Sequence, residues 1–254
     1  MSIHINRDQL GANVSRGINK SYRSLMKTME KLSSGLRINR ASDDPAGLVI
    51  SENLRSRIAS LNQEIENTSL AIRKYETADA TISELRSNLT ELRSQALGAS
   101  NEGFNFESVQ QAYQASAQNS AANYNNVIET ASFNGGNLLN GGERSLASLS
   151  KLEGIDLSTP EKAQEAISKI DEAMAELDAA QTEIGATQKN ELEARRSTLE
   201  ITAENLTASE SQIRDADILQ EVANLTRDEI NLKAGIALLA HSNLTQKSVL
   251  GLFE

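Results

Sequence analysis

Between Leu54 and Ala96 the chain places apolar or small residues at Leu54, Ile58, Leu61, Ile65, Thr68, Ile72, Tyr75, Ala78, Ile82, Leu85, Leu89, Leu92 and Ala96. The gaps alternate four and three, with one slip of three and three between Ile72 and Ala78. Such alternation averages ~3.5 residues, the repeat that keeps one seam of a helix facing a partner helix. The register is spelled twice: Glu84-Leu85-Arg86-Ser87 recurs seven residues on as Glu91-Leu92-Arg93-Ser94. Neither Gly nor Pro interrupts the seam. At ~1.5 Å per residue this stretch alone reaches roughly 65 Å, too long for burial in a rounded globule of 254 residues. The expected fold class is therefore mainly α, a long antiparallel helical bundle or coiled coil with a small β-hairpin region. The expected function is that of something stacked or bundled.

The composition agrees with a seam rather than a rounded core. Aromatics are 3% and Trp is absent, whereas compact cores draw on aromatic bulk. The net charge of −10 argues against a nucleic-acid binder. Residues 1–60 hold ten Lys/Arg against five Asp/Glu, and residues 160–254 hold nine against eighteen. A basic beginning and an acidic end can pair lengthwise or form two solvated faces. With no Cys, neither a disulfide framework nor a thiolate site is available. No stretch approaches the ~20 apolar residues of a membrane span, so no membrane partner is expected. Arg7, Asp8, Gln9, Asn13, Arg16 and Lys20 interrupt the beginning of the chain, so any export is expected to use a route other than an ordinary cleaved signal.

A second seam precedes the first, at Ile3, Leu10, Val14, Ile18, Tyr22, Leu25, Met29, Leu32 and Leu36, strictly heptad from Ile18 onward. Gly11 and Gly17 lie inside it, each costing about 0.5–1 kcal/mol relative to Ala, so this helix is expected to be firm only when packed. Ser33-Ser34-Gly35 through Asp44 is a break rich in turn and cap residues. Asp44 reads as an N-cap and Pro45 as the first helical position. That reading outweighs an acid/base or metal role for the Asp43-Asp44 pair. The long helix is expected from Pro45 to about Ala99, stopped by Asn101-Glu102-Gly103.

Phe106, Val109, Tyr113, Ser116, Ser120, Tyr124 and Val127 mark a third helix. Its aromatics suggest packing on the long helix more than a ligand box. From Phe133 to Ser158 the helical period is lost. Asn134-Gly135-Gly136 and Asn140-Gly141-Gly142 carry hairpin-turn chemistry, which predicts one or two short β-hairpins near 131–158. A phosphate-cradling loop lacks its Lys-Ser/Thr here. Thr159-Pro160-Glu161 restarts a helix with cap, Pro and early acid in order. Ile167, Ile170, Met174, Leu177 and Ile184 follow, then Leu192, Leu199, Leu206 and Ile213 at sevens. The phase then shifts by five, to Ile218, Leu225, Leu232 and Leu239, flanked by Val222 and Ile236. The run from Ala234 to Ala240 is apolar nearly all round. Such a helix wants burial on all faces, and this one points to self-assembly. The candidate self-assembly seam is Ile18, Leu25, Met29, Leu32 and Leu36 with Ile218, Leu225, Leu232, Ile236 and Leu239.

Leu32-Ser33-Ser34-Gly35-Leu36-Arg37-Ile38-Asn39, followed by Asp43-Asp44-Pro45-Ala46-Gly47-Leu48, resembles the N-terminal signature of bacterial flagellin. Pro45 stands where that family usually has Ala. Phe133-Asn134-Gly135 with Leu138-Leu139 resembles the family's first hairpin. Leu206-Thr207-Ala208, Ser211 through Asp217, Glu221-Val222, and the tail from Ala240-His241-Ser242-Asn243 to Val249-Leu250 resemble its C-terminal region.

The resemblance implies a filament subunit, located outside the cell in the bacterial flagellum. Residues 1–44 and 211–254 would form an inner terminal helix pair lining a central channel. Residues 45–210 would form an outer helical rod domain. Only about 25 residues separate Gly136 from Pro160, so the outer domains that many flagellins insert are expected to be absent and the filament thin. The implied partners are other flagellin subunits, the flagellar type III export apparatus, an export chaperone, and cap and junction proteins.

Many flagellins present Gln-Arg-x-Arg-Glu-Leu to a Toll-like innate immune receptor. This chain keeps Glu91, Leu92 and Gln95 as candidate receptor contacts, but has Ser87, Asn88 and Thr90 in place of the Gln and the two Arg. The match is partial, and receptor recognition is not carried by it. A hook–filament junction protein, which shares such ends, is the alternative reading. An enzyme is the third: some flagellins resemble metallopeptidases in an inserted domain. Here the only histidines are His4 and His241, with no His-Glu-x-x-His and no nucleophile elbow. No catalytic residue, metal or cofactor is therefore expected.

Overall fold

The structure is a computed structural model that describes residues 9–101 and 107–250. Ile3, His4, Glu102, Gly103 and Phe106 lie outside the described residues, as do the side chains of Leu10, Val249 and Leu250. The elements are α1 (Gln9–Ser34), α2 (Pro45–Ala99), α3 (Glu107–Thr130), β1 (Ser132–Phe133), β2 (Gly136–Asn137), α4 (Pro160–Thr187), a π-helical segment (Gln188–Glu193), α5 (Ala194–Arg214) and α6 (Ile218–Leu250). The fold is the mainly helical bundle expected, with one small antiparallel hairpin. Contacts divide the chain into two units, residues 1–60 with 202–254, and residues 61–201. The divisions fall inside α2 and inside α5.

The 61–201 unit owns a closed apolar core. The α2 seam contributes Ala78, Ile82, Leu85, Leu89, Leu92 and Ala96. Ala117, Tyr124 and Ile128 of α3 and Ile170, Leu177 and Ile184 of α4 meet it. Burial along the seam rises with residue number. Leu61 and Ile65 are half-buried, whereas Thr68, Ile72 and everything from Ala78 onward in the seam are buried. Tyr124 is enclosed completely, and burial together with the nearby Glu176 carboxylate pushes its hydroxyl up to about 12. On the rim, Arg93 bonds Asp171 at 2.7 Å and Arg86 bonds Asp178, both tying α2 to α4. These pairs are exposed, worth at most about 1 kcal/mol each, and serve to align helices that run in opposite directions.

Caps stand where the residue types require them. Asp44 accepts the Gly47 amide at 2.9 Å, and Thr159 accepts that of Lys162 at 3.3 Å. Asn134 and Gly135 have φ of 49° and 75°, the paired positive values of a type I′ turn. Their strands pair Ser132 with Asn137 and Phe133 with Gly136. The second Asn-Gly-Gly makes a turn closed by one bridge, Asn140 to Ser148, and no second ladder follows. The segment after it is extended but held by side-chain amides. Asn125 accepts the Leu152 amide at 2.9 Å and donates to its carbonyl at 3.0 Å. Gln114 likewise donates to Ile155 O and accepts from Leu157 N. These amides of α3 take the place of a neighbouring strand, so Leu149, Leu152, Ile155 and Leu157 reach the core without a sheet.

Between α4 and α5 the helix loosens into a π-turn, Gln188–Glu193, with none of its residues buried. The corresponding sequence signal is the step of eight from Ile184 to Leu192 in a run otherwise spaced at threes, fours and sevens. One extra residue is absorbed by the wider i→i+5 turn. The phase shift of five after Ile213 marks a real break: α5 ends at Arg214 and α6 begins at Ile218.

Leu85→Ala should lower the unfolding free energy of the 61–201 unit by about 2–5 kcal/mol, because Leu85 is 0% exposed. Leu70→Ala, at 52% exposed, should change it by less than about 0.5 kcal/mol. Urea unfolding of the two variants, followed by circular dichroism, measures the contrast.

Candidate assembly surface

The unit formed by residues 1–60 and 202–254 is built around α1 and α6, which run antiparallel. Four contacts set their register. Lys31 Nζ bonds Glu221 Oε1 at 2.9 Å. The Arg37 amide donates to Arg214 O at 2.6 Å, and the Ala216 amide to Gly35 O at 2.9 Å. At the far end, a Cβ added to Gly235 would lie 2.8 Å from Ile18 Cγ1, so Gly235 is the notch into which Ile18 fits.

The Ser-Ser-Gly-Leu-Arg-Ile-Asn stretch is the connector that makes this register possible. Gly35, at φ +72°, ends α1 with its amide on Lys31 O at 2.8 Å, a left-handed cap that suits Gly. Arg37 reaches back with its guanidinium to Ile213 O. Asn39 donates to Ser34 Oγ at 2.8 Å. Ile38 is buried at 1% exposure. Asp43 receives the amides of Asn39 and Arg40 and the Lys27 ammonium at 2.8 Å. Lys27, with those amides, holds the Asp43 carboxyl below the usual carboxylate range. Ser34, Arg37, Asn39, Asp43 and Asp44 are thus spent on shaping the turn. Asp43 and Asp44 are structural, and no group of three or more His, Asp or Glu that could hold a metal occurs among the described residues.

The ten seam residues divide by face. Leu25 is buried; Ile18, Leu32, Leu36, Leu225, Leu232 and Leu239 are half-buried. Met29, Ile218 and Ile236 are turned out to solvent at 45–54% exposure. Sequence spacing did not single out the larger outward set, Leu219, Ile230, Leu238 and Leu244, of which Leu219 is 84% exposed. Leu219 lies about 200° around α6 from Glu221, at ~100° per residue, and Glu221 faces α1. Apolar residues therefore occupy two opposite sides of α6, and α1 covers one. Lengthwise charge pairing appears as Lys31–Glu221, and with the signs reversed as Glu52–Arg214 at 2.6 Å.

The residues that build this pair coincide with the ends of a known family. The N-terminal helical region of bacterial flagellin matches residues 5–144, and the C-terminal helical region matches residues 167–253. The chain belongs to the bacterial flagellin family. The flagellin of Halalkalibacterium halodurans is 35% identical over 276 residues, covering 100% of both chains. The flagellar filament 33 kDa core protein of Treponema phagedenis is 30% identical, covering 98% of this chain and 99% of its own. Bacillus subtilis flagellin is 28% identical, covering 99% and 100%. The flagellin match thus runs through both helices of the antiparallel pair and through the connector that leads from α1 into α2. The family is one of structural proteins.

The receptor positions separate in the structure. Glu91 is exposed and Gln95 half-buried. Leu92, expected among the contacts, is instead a core residue at 1% exposure, because it occupies the α2 seam. A side chain there packs inside the subunit and offers no surface to a receptor.

Gly235→Ala should weaken the α1–α6 pair by forcing Ile18 out of its notch. Gly17→Ala, where nothing lies within 4 Å of the new methyl, should strengthen α1 by about 0.5–1 kcal/mol. Amide exchange in α1 reports both. Lys31 holds the Glu221 carboxyl below its ordinary 4.5. A depressed folded-state value means that the bridge stabilises above the unfolded value and is lost as pH falls through the folded one. Acid below about the ordinary glutamate range should therefore loosen α1 from α6 in the parent chain and less so in Glu221→Gln, read by exchange of the same amides.

Proposed function

We infer that this protein is a structural subunit that self-assembles into the extracellular filament of the bacterial flagellum and so serves motility. The observation that carries the reading is the contrast between the two units. Residues 61–201 close their own core, while α1 and α6 leave large apolar side chains open on faces that none of the described residues covers. Single exposed leucines are ordinary on soluble surfaces, but a contiguous stripe marks an interaction surface.

In this reading residues 1–44 and 211–254 form the inner pair around a channel, and residues 45–210 form the outer layer. Other subunits of the same kind are the principal partners. The flagellar export apparatus, an export chaperone, and cap and junction proteins handle the chain before and during assembly. No catalytic role accompanies the structural one. The exposed Glu91 and half-buried Gln95 offer too little of the receptor pattern to support innate immune recognition.

Leu232→Asp tests the assignment. Leu232 is half-buried on the α1-facing side of α6. Losing a large apolar side chain there forfeits about 1.5–3 kcal/mol, and an unpaired carboxylate in its place costs more. The variant should fail to form filaments in electron micrographs while circular dichroism retains the helices of the 61–201 unit. Long filaments from the parent protein alone support the subunit reading, and failure to polymerise under seeding favours a junction protein.

A further inference from the structure

One groove of the 1–60 and 202–254 unit combines an apolar floor with a free charge. It is about 740 Å³ and is floored by Tyr22, Met26 and Met29 of α1. These side chains are spaced four and three apart, on one side of the helix, and all three are exposed. Methionines adapt their shape to an incoming surface. Two of the cations on the rim are already engaged: Lys27 with Asp43 and Arg40 with Glu30, each at 2.8 Å. Arg23, also in the lining, has no acidic partner among the described residues.

The complementary shape and charge occur at the start of α6. Ile218, Leu219 and Val222 form an apolar ridge, all exposed, with Leu219 the most open large apolar side chain among the described residues. Asp217 immediately precedes the ridge. Its side chain accepts the Gln220 amide at 3.1 Å, and it makes no ion pair with a described residue. One surface of the chain thus offers an apolar groove with an unpaired cation. Another offers an apolar ridge with an unpaired anion. In the single chain both stand open to solvent.

We propose that the Tyr22–Met26–Met29 groove of one copy receives the Ile218–Leu219–Val222 ridge of a second copy, with Arg23 facing the incoming Asp217. The proposal rests on the filament reading and names one of its contacts. Because groove and ridge are different surfaces of the same chain, the contact is heterologous. Such a contact repeats from copy to copy and gives an open helical polymer unless the rotation closes a ring. Burial of the ridge supplies attraction, and the Arg23–Asp217 pair supplies direction and register.

The absence of cysteine from the chain permits a direct test. Full-length Met26→Cys and Leu219→Cys copies are mixed, grown from parent seeds and oxidised. The expected result is a covalent dimer of the two variants that appears in filaments and not in dilute monomer. A mixture with Leu70→Cys in place of Met26→Cys should give none. Filaments in which the Met26/Leu219 pair cross-links no more than the Leu70 control overturn the proposal and leave the filament reading standing. Absence of any filament from the parent protein overturns both. As a second measurement, Arg23→Glu should slow seeded elongation at least tenfold while Arg23→Lys elongates close to the parent rate. Parent-like elongation by Arg23→Glu overturns the Arg23–Asp217 contact.

Discussion

A helix with apolar side chains on two opposite sides can be satisfied by one neighbour on only one of them. α6 is in this position. Leu225, Leu232 and Leu239 turn toward α1, and Leu219 and Ile230 turn away from it. Packing with α1 leaves the second stripe in water, where each large apolar side chain forgoes about 1.5–3 kcal/mol of burial. The free energy that would close a core in a rounded protein is here left available for association. The other half of the molecule leaves far fewer such side chains open, Leu70, Leu97 and Ile201 among the described residues, because α2, α3, α4 and the amide-held 149–157 segment enclose one another.

The division of labour follows from that difference. The 61–201 unit is held by an enclosed Leu/Ile/Ala core and by cross-helix pairs such as Arg93–Asp171. The α1–α6 pair has a thinner interface, pinned by a few specific devices: the Ile18–Gly235 notch, the Lys31–Glu221 bridge and the Gly35 cap. A pair with so few fixed points keeps its register through polar contacts more than through bulk burial. A largely enclosed ion pair is a weak source of net stability but a good determinant of alignment. Correct alignment decides which side chains of α6 face outward, and so which surface is offered to another copy.

The connector motif illustrates how a recognisable string of residues turns into geometry. Gly35 accepts the left-handed conformation, Arg37 and Ala216 knit the outgoing and returning chains, and Asp43 gathers two amides and a lysine. These contacts fix the joint between the outgoing and returning chains.

Much of the fold was legible in the residues alone, because helix periodicity and capping are local. The span Pro45–Ala99, the Thr159 cap and the Asn134-Gly135 turn follow from spacing and side-chain type, and the structure has them. The step of eight at Ile184–Leu192 and the shift of five after Ile213 were visible too, although spacing does not say whether a helix widens, as it does at the first, or ends, as it does at the second. What one dimension could not decide was facing. Leu92 and Met29 both fit a heptad, yet one is sealed in a core and the other is open. The Asn125 and Gln114 amides that replace a strand join residues 27 and 43 positions apart. Periodicity reports that a side of a helix is apolar. Only the packed arrangement of neighbours determines whether that side has been covered within the chain or left for another copy.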